Sequence, residues 1–573
     1  MTAYQRIYSN DGSMTEGIDG TTVDGMSENR IEKLIDTLKD HSYQPKPARR
    51  TYIEKKNSNK KRPLGIPSSN DKLVQEVVKM ILESIYEPNF SDCSHGFRPN
   101  RSCHTALTDL QAKFTGAKWF IEGDIHACFD SFNHHVIINI LRRRIDDEVF
   151  ISLIWKFLKA GYMEQWTFNK TYCGTPQGSG CSPILANIYL DELDAYMDKY
   201  KQKFDRGTKI KRNPEYIRLD NKTRRLKQKN SKSWETITQE QRDEQKNILK
   251  NLTMEKLAVN TQVSTDLDYK RLQYIRYADD FIIGVIGSKE DSLRIKEDIR
   301  SFLSEKLKLT LSVEKTKITH TSNFARFLSY DISISRSDAI KKDINGVRKR
   351  MYNGQIKLYV PHEKWASKLK QLNAITISKN ADGTERYKAT HRSGLINKND
   401  IQILQAYNAE VRGLYNYYCI ANNASVIGKF GGLMYHSMCK TFAGKYKSKV
   451  SNIKKKYVKN GNFTVIYPTK AGLKERAFYN QGYGRKAKLP FADINVLPAY
   501  KKYDGPNSLA RRMRAKCCEL CGKTDEAIEI HQVKRLKDLT GHSDWEIKMR
   551  EMRRKTLAVC NMCHQEIHNK GKC

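Results

Sequence analysis

Leu272-Gln273-Tyr274-Ile275-Arg276-Tyr277-Ala278-Asp279-Asp280-Phe281-Ile282-Ile283-Gly284-Val285-Ile286 sets two apolar runs on either side of Ala278-Asp279-Asp280. Short β-prone runs joined by a turn signal predict a β-hairpin with adjacent carboxylates at its tip. Such carboxylates repel each other and are costly to desolvate, and a divalent cation removes that cost by accepting their oxygens. Turns also favour aspartate for local reasons, so a solvated turn has the same composition. A third ligand would separate the two readings. Asp124 is the candidate, at the end of the apolar strand Trp119-Phe120-Ile121-Glu122-Gly123.

Asp124, Asp279 and Asp280 together can grip two Mg²⁺ ions. In two-metal nucleotidyl transfer one ion lowers the pKa of an attacking 3′-hydroxyl, and the other neutralises the triphosphate and leaving pyrophosphate. Phe129 follows five residues after Asp124. An aromatic ring beneath the sugar excludes a 2′-hydroxyl by clash and so selects dNTPs; ordinary core packing is the other reading of Phe129.

The 573 residues exceed what one core holds, and roughly 150 residues per domain predicts three or four units. Lys plus Arg number 102 against 64 Asp plus Glu, a formal charge of +38. That balance calls for a polyanionic partner, with nucleic acid first. No apolar run approaches the ~18 residues of a spanning helix, and residues 1–14 lack a signal-peptide core. A soluble protein of the cytoplasm, with no membrane partner, is expected.

Residues 119–330 alternate short strands with helices, the pattern of an α/β core. Within them 198–262 are highly charged and read as inserted surface helices. From about 340 the pattern turns helical, and Leu404, Tyr407, Val411, Leu414 and Tyr418 form one apolar stripe. The basic stretch 46–62 reads as a loop, either touching phosphates or simply solvated. Between 439 and 474 there is no acidic residue, and Lys445, Lys447, Lys449, Lys454, Lys455 and Lys456 interleave with Phe442, Tyr446 and Tyr457. This mixture suits backbone contact and base stacking on nucleic acid; an exposed lysine helix with its aromatics in the core is the alternative.

Of thirteen cysteines, six crowd into 517–573, which suggests metal instead of disulfides. Cys518-x2-Cys521 and Cys560-x2-Cys563 make a tetrahedral Cys₄ Zn²⁺ site for a segment with little core of its own. His531 lies in the insert between the pairs. His564 and His568, one helical turn apart, share a face and can bind one ion.

The blocks Arg62-Pro63-Leu64-Gly65-Ile66-Pro67, His95-Gly96-Phe97-Arg98-Pro99, Gly123-Asp124 to Phe129, Gly174-Thr175-Pro176-Gln177-Gly178, Tyr277-Ala278-Asp279-Asp280 and Phe327-Leu328-Ser329-Tyr330 stand in one order. In that order the chain resembles a group II intron reverse transcriptase. The resemblance implies an α/β right-hand polymerase with fingers at 1–118 and palm at 119–335. An α-helical thumb/maturase domain would follow at 340–450, including Arg412-Gly413-Leu414-Tyr415-Asn416-Tyr417-Tyr418, whose basic, tyrosine-rich surface would clasp RNA. A basic DNA-binding region at 451–510 and a zinc-bound HNH (ββα-metal) endonuclease module at 511–573 complete it. It further implies that Arg62 and Arg98 contact the triphosphate, that Gln177 and Gly178 lie beside nucleotide and template, and that Lys315 belongs to a later palm motif. His531, His564 and His568 would hold the endonuclease metal, Mg²⁺ or a similar cation. The implied activity is DNA synthesis on an RNA template, with assistance to intron splicing and to intron mobility. Intron RNA, target DNA, dNTPs and a second copy of the chain are the implied partners.

The sequence departs from that pattern in several places. Ser179-Gly180-Cys181 follows Gly178 where Gly and two aliphatics are usual, and Ser329 stands where Gly is expected. The block Ile7-Tyr8-Ser9-Asn10 falls close to the start, so a shortened N-terminal extension and weaker RNA grip are expected. Gln532 occupies the place of a general-base histidine. A neutral amide has no useful basicity, which removes the ~10² to 10⁴-fold such a base supplies. A module that folds and binds DNA but cuts poorly is expected, with His542 the substitute base to consider. Two other functional classes share parts of this pattern: an RNA-binding splicing cofactor without polymerase activity, and a retron or diversity-generating reverse transcriptase.

Overall fold

The apolar runs form the antiparallel strands Arg271–Tyr277 and Asp280–Ile286, joined through Ala278 and Asp279. The structure is a computed structural model describing all residues except 11, 55–60, 166, 172, 175–177, 264–265, 338, 343, 351–352, 470–471, 488–507, 525 and 570–573. Strand Trp119–Asp124 pairs with the hairpin's second strand, and Lys317–His320 closes a four-stranded antiparallel sheet. Both faces of this sheet are covered, which explains why its strands read as apolar runs without polar alternation. Ile121, Tyr274, Ile283 and Val285 face a core shared with helices Ser182–Phe204 and Lys289–Lys306. Phe120, Ile275 and Ile282 face a second core, with helix Cys103–Lys113. Gly123 lets the sheet close, because a Cβ there would sit 2.1 Å from the Phe281 ring.

Where it is described, basic stretch 46–62 is mostly strand, not the expected loop. Ala48–Glu54 and Lys61–Ile66 pair, and Tyr162–Glu164 and Thr167–Asn169 extend them to a four-stranded sheet. The charged insertion forms helices Pro214–Ser233 and Gln239–Ala258, packed on each other. Its expected start at 198 falls too early: 198–204 are the last turns of the core helix, whose Phe204 is buried.

The region beyond 340 is not helical from its outset. Hairpins Ile340–Lys342 with Arg348–Arg350 and Ile375–Lys379 with Glu385–Ala389 precede the long helices Asp400–Tyr418 and Ile427–Lys445. Short strands hide in a helical reading because three to five residues show no period. The Asn399 capping box starts the first long helix, satisfying its orphan N–H groups. No structural break occurs at 451. Ile453, Tyr457, Phe463, Val465, Phe478 and Tyr479 are buried in the same core as those helices, so the unit continues to about 486. Residues 470–471 and 488–507 of the expected DNA-binding region lie outside the described residues.

The C-terminal segment folds as strands Ile528–Gln532 and Thr556–Cys560 followed by helix Asn561–Asn569. It does not stand apart. Strand Met26–Ser27 adds to its sheet, Met26 opposite Ile530, and Tyr4, Met26, Ile530 and Leu557 belong to one continuous buried cluster. The divisions 1–118 and 511–573 therefore meet in a shared sheet and core. Among the described residues no helix is long and apolar enough to cross a membrane.

Candidate active site and metal centres

Register places the acidic residues. Asp124 is the cross-strand partner of Asp280, and Asp279 sits in the adjoining turn, where Ala278 takes φ +56°. Asp280 keeps an exposed edge, yet the surrounding protein withdraws water from its carboxyl, and Asp279 and Asp124 add like charge, pushing it up to about 7. Burial and Asp124 also raise Asp279, against the pull of Lys315 and Arg62. Lys315 Nζ lies 2.8 Å from Asp124 Oδ2. It is delivered there by the Ser312 N–H, which donates to the Asp124 carbonyl at 2.8 Å. Three carboxylates against one ammonium leave a net negative site, a donor set that fits divalent cations. A cleft of about 480 Å³ opens beside them, lined by Asp124, Asp280, Lys315, Leu328, Ser329 and Tyr417.

Arg62 stands exposed on strand Lys61–Ile66, near enough to act on Asp279. Gly178 stands against the same strand, where a Cβ would lie 2.7 Å from the Gly65 carbonyl oxygen. Gln177 lies outside the described residues. Phe129 is half-buried, edge-on to Phe97 at 6.2 Å and Phe132 at 6.0 Å. Arg98 corrects an expectation. Its Nε donates to Glu87 Oε1 at 2.9 Å and its Nη1 to the Ser91 and Ser94 carbonyls, with the side chain 4 % exposed. A guanidinium committed in this way organises the 87–98 turn and does not reach a triphosphate.

Sequence reasoning missed the support behind the acidic turn. Arg276 and Asp194 are both fully buried, and the guanidinium donates to both Asp194 oxygens, Asn187 Oδ1, Ser94 Oγ and the Ala278 carbonyl. A charged residue inside the apolar run 272–277 was the available signal.

Tyrosines read as part of an RNA-clasping surface have internal work. Tyr415 and Tyr418 are buried, and Tyr417 and Tyr418 donate to the carbonyls of Leu328 (2.7 Å) and Ser329 (3.1 Å). They bolt the long helix to the turn bordering the cleft. Among the basic residues, Lys447, Lys449, Lys455 and Lys456 are exposed. Lys445 is tied to Asp400 Oδ1 at 2.6 Å, and Lys454 lies over the Tyr435 ring. Phe442 and Tyr457 are buried, so base stacking there is not what these aromatics provide.

The four sulfurs of Cys518, Cys521, Cys560 and Cys563 lie within 4.8 Å of one another. Cys521 Sγ and Cys560 Sγ are 3.8 Å apart, the ~3.8 Å spacing of two thiolates on one tetrahedral zinc at about 2.3 Å. His531, His564 and His568 also converge, with a partner unforeseen from sequence, Asp24. Gln532 is 3 % exposed. His542 is exposed in a turn held by Glu546 and is not among the four.

Residues 53–210 match the model "Reverse transcriptase (RNA-dependent DNA polymerase)", 353–485 the type II intron maturase model, and 518–564 the AI2M/AI1M-like HNH endonuclease model. The group II intron-encoded protein LtrA of Lactococcus lactis subsp. cremoris is 44 % identical over 579 residues, spanning 100 % of this chain and 94 % of its own. The chain is a group II intron-encoded protein. This intron protein is also 35 % identical to protein YkfC of Escherichia coli K12, over 57 % of this chain and 78 % of that one. Nuclear intron maturase 2 of Arabidopsis thaliana shares 27 % over 45 % of this chain and 37 % of its own. It is accordingly a reverse transcriptase and intron maturase that carries an HNH-type module.

Proposed function

We propose that this intron protein copies RNA into DNA with Asp124, Asp279 and Asp280 as its catalytic carboxylates, in a right-hand polymerase whose thumb is the helical unit from 400 to 486. The observation that carries the reading is the convergence of Asp124, Asp279 and Asp280, the last pushed up to about 7, beside a cleft where Lys315 pairs with Asp124. Mg²⁺ held there would supply Lewis acidity to the attacking hydroxyl and charge neutralisation to the triphosphate. Asp280 must release its proton before it can serve as a ligand. Lys315 balances Asp124 and screens the acidic cluster. Arg62 faces the same space as a triphosphate contact, with Gly178 beside the nucleotide. The half-buried Phe129 edge guards the sugar position and selects dNTPs.

Further along the chain, Lys447, Lys449, Lys455 and Lys456 offer phosphate contacts for intron RNA or target DNA. The Cys₄ cluster suits structural Zn²⁺, and His531, His564 and His568 suit the endonuclease cation. By likeness to relatives the protein assists splicing of its intron and movement of the intron into DNA, in the cytoplasm. Primer extension on an RNA template tests the polymerase reading. Asp124→Asn or Asp280→Asn should each abolish extension, whereas Lys315→Ala should leave measurable activity; full extension by either aspartate variant would remove the assignment.

A further inference from the structure

The segment preceding strand Met26–Ser27 enters the histidine cluster of the C-terminal module. Asp24 Oδ2 lies 2.8 Å from His568 Nε2 and 3.4 Å from His564 Nε2, while its Oδ1 is 3.4 Å from His531 Nδ1. His564 Nε2 and His568 Nε2 are 3.2 Å apart. Donor atoms sharing one tetrahedral ion at about 2.0–2.1 Å stand ~3.3 Å from each other. The Asp24 Oδ2–His564 and His564–His568 spacings match that figure, the 2.8 Å contact is of hydrogen-bond length, and His531 approaches the other oxygen of the same carboxylate.

Three further observations point to a ligand here. His531 is 4 % exposed, and neither ring nitrogen has a hydrogen-bond partner among the described residues, a costly state for a buried imidazole. His564 Nδ1 is held by Glu529 Oε2 at 2.5 Å, leaving Nε2 to face the cluster, the arrangement in which an outer carboxylate orients a metal-binding histidine. The Gln532 N–H donates to Asp24 Oδ1 at 2.6 Å, which steadies the carboxylate and leaves Oδ2 toward the histidines.

The chain is built to bring Asp24 here. Gly25, at φ +67°, donates its N–H to the Ile530 carbonyl at 3.1 Å, and a Cβ on it would lie 3.2 Å from His564 Cε1. The amide of Gln532, the residue in the general-base position, donates to the Tyr8 carbonyl at 2.7 Å and to Ser13 Oγ at 3.1 Å. The side chain that lacks a base's chemistry therefore anchors the N-terminal segment.

We propose that Asp24 is the fourth ligand of a closed three-histidine, one-carboxylate cation site of the zinc class, which clasps the C-terminal module to the N-terminal segment. A catalytic site keeps a coordination position open, whereas a structural site fills all four from the protein. With Asp24 in place no position remains for a DNA phosphate, so the docked module is a clasp and not a nuclease. The proposal rests on the histidines being cation ligands, but not on any nicking activity.

Cobalt titration of the chelator-stripped full-length protein tests it, using wild type, Asp24→Asn and Asp24→Ala. Asparagine keeps the shape and the acceptor for the Gln532 N–H, and the thiolate-to-cobalt absorption of the Cys₄ site reports that the module is folded in each. With excess Mg²⁺ holding the carboxylate site at Asp124, Asp279 and Asp280, the expected result is two cobalt ions per wild-type chain, the second with the intense visible absorption of four-coordinate cobalt. In both variants the second ion should bind at least about 10-fold more weakly, with that absorption lost as water raises the coordination number. Amide exchange at Gly25 and Met26 should speed up when the wild-type ion is removed. A second ion bound with unchanged affinity and spectrum in both variants would overturn Asp24 as a ligand and leave the three-histidine reading standing. A wild-type protein taking one ion only, at the cysteines, would overturn both.

Discussion

Asp194→Asn isolates the support behind the acidic turn. Arg276 and Asp194 have no exposed side-chain surface, and all five guanidinium donors are used, two of them on Asp194. The substitution keeps volume and removes the negative charge, leaving a buried cation without its counter-ion, a change that costs about 3–5 kcal/mol. At about 1.4 kcal/mol per decade this is a loss of roughly two to four decades in local opening equilibrium. Hydrogen exchange of the amides in strands Arg271–Tyr277 and Asp280–Ile286 measures it residue by residue. Because Arg276 also grips the Ala278 carbonyl at 3.0 Å, the turn carrying Asp279 should shift. cDNA synthesis should then fall by as much as ~10²-fold for an ångström of misplacement. Asp194→Leu with Arg276→Met, which removes both charges, should restore most of the protection. Protection within tenfold of wild type in Asp194→Asn would refute the reasoning.

The raised Asp280 carboxyl has a pH consequence. The folded, ion-free protein binds this proton more tightly than the unfolded chain does, so its contribution to stability falls as pH rises from the ordinary carboxylate range through about 7. Asp280→Asn should therefore stabilise the ion-free protein at pH 8 and change little at pH 4, as thermal unfolding in chelator would show. Mg²⁺ binding should release a proton near pH 6 and little at pH 8.5, a difference read by calorimetry in two buffers. Leu328 and Ser329 form a hairpin turn with φ +47° and +61°, so Ser329→Gly should stabilise that sheet by about 0.5 to 1 kcal/mol, measured by denaturant unfolding. Phe129→Ala should admit ribonucleotides at the sugar position, raising rNTP incorporation relative to dNTP in single-nucleotide extension while leaving the fold intact.

Sequence alone carried the hairpin and the strand bearing Asp124, because apolar runs bounded by turn residues have few other solutions. It also carried the Cys₄ pairing, since two pairs of that spacing have one simple use. It failed where chemistry depends on long-range placement. Arg98 shares a motif with exposed residues, but its burial against Glu87 is set by the turn around it. The tyrosines at 415–418 look like a surface for RNA until the Leu328–Ser329 turn is seen to receive the hydroxyls of Tyr417 and Tyr418 and the Gly484 carbonyl that of Tyr415. Asp24 stands 507 positions before His531 and had no local pattern to mark it; the pairing of Met26 with Ile530 brings it into the cluster. The strands between 340 and 389 were too short to show a period.

The most direct test pairs two assays on one preparation of protein assembled with its intron RNA: cDNA synthesis and intron splicing, for wild type and Asp279→Ala. Asp124 and Asp280 border the cleft on one edge of the palm sheet, while Ile403, Tyr407, Phe430 and Phe442 of the long helices lie in the cluster that packs on one face of that sheet. The account predicts that Asp279→Ala abolishes cDNA synthesis and splices at the wild-type rate. Retained synthesis, or loss of both activities together in a folded protein, would contradict it.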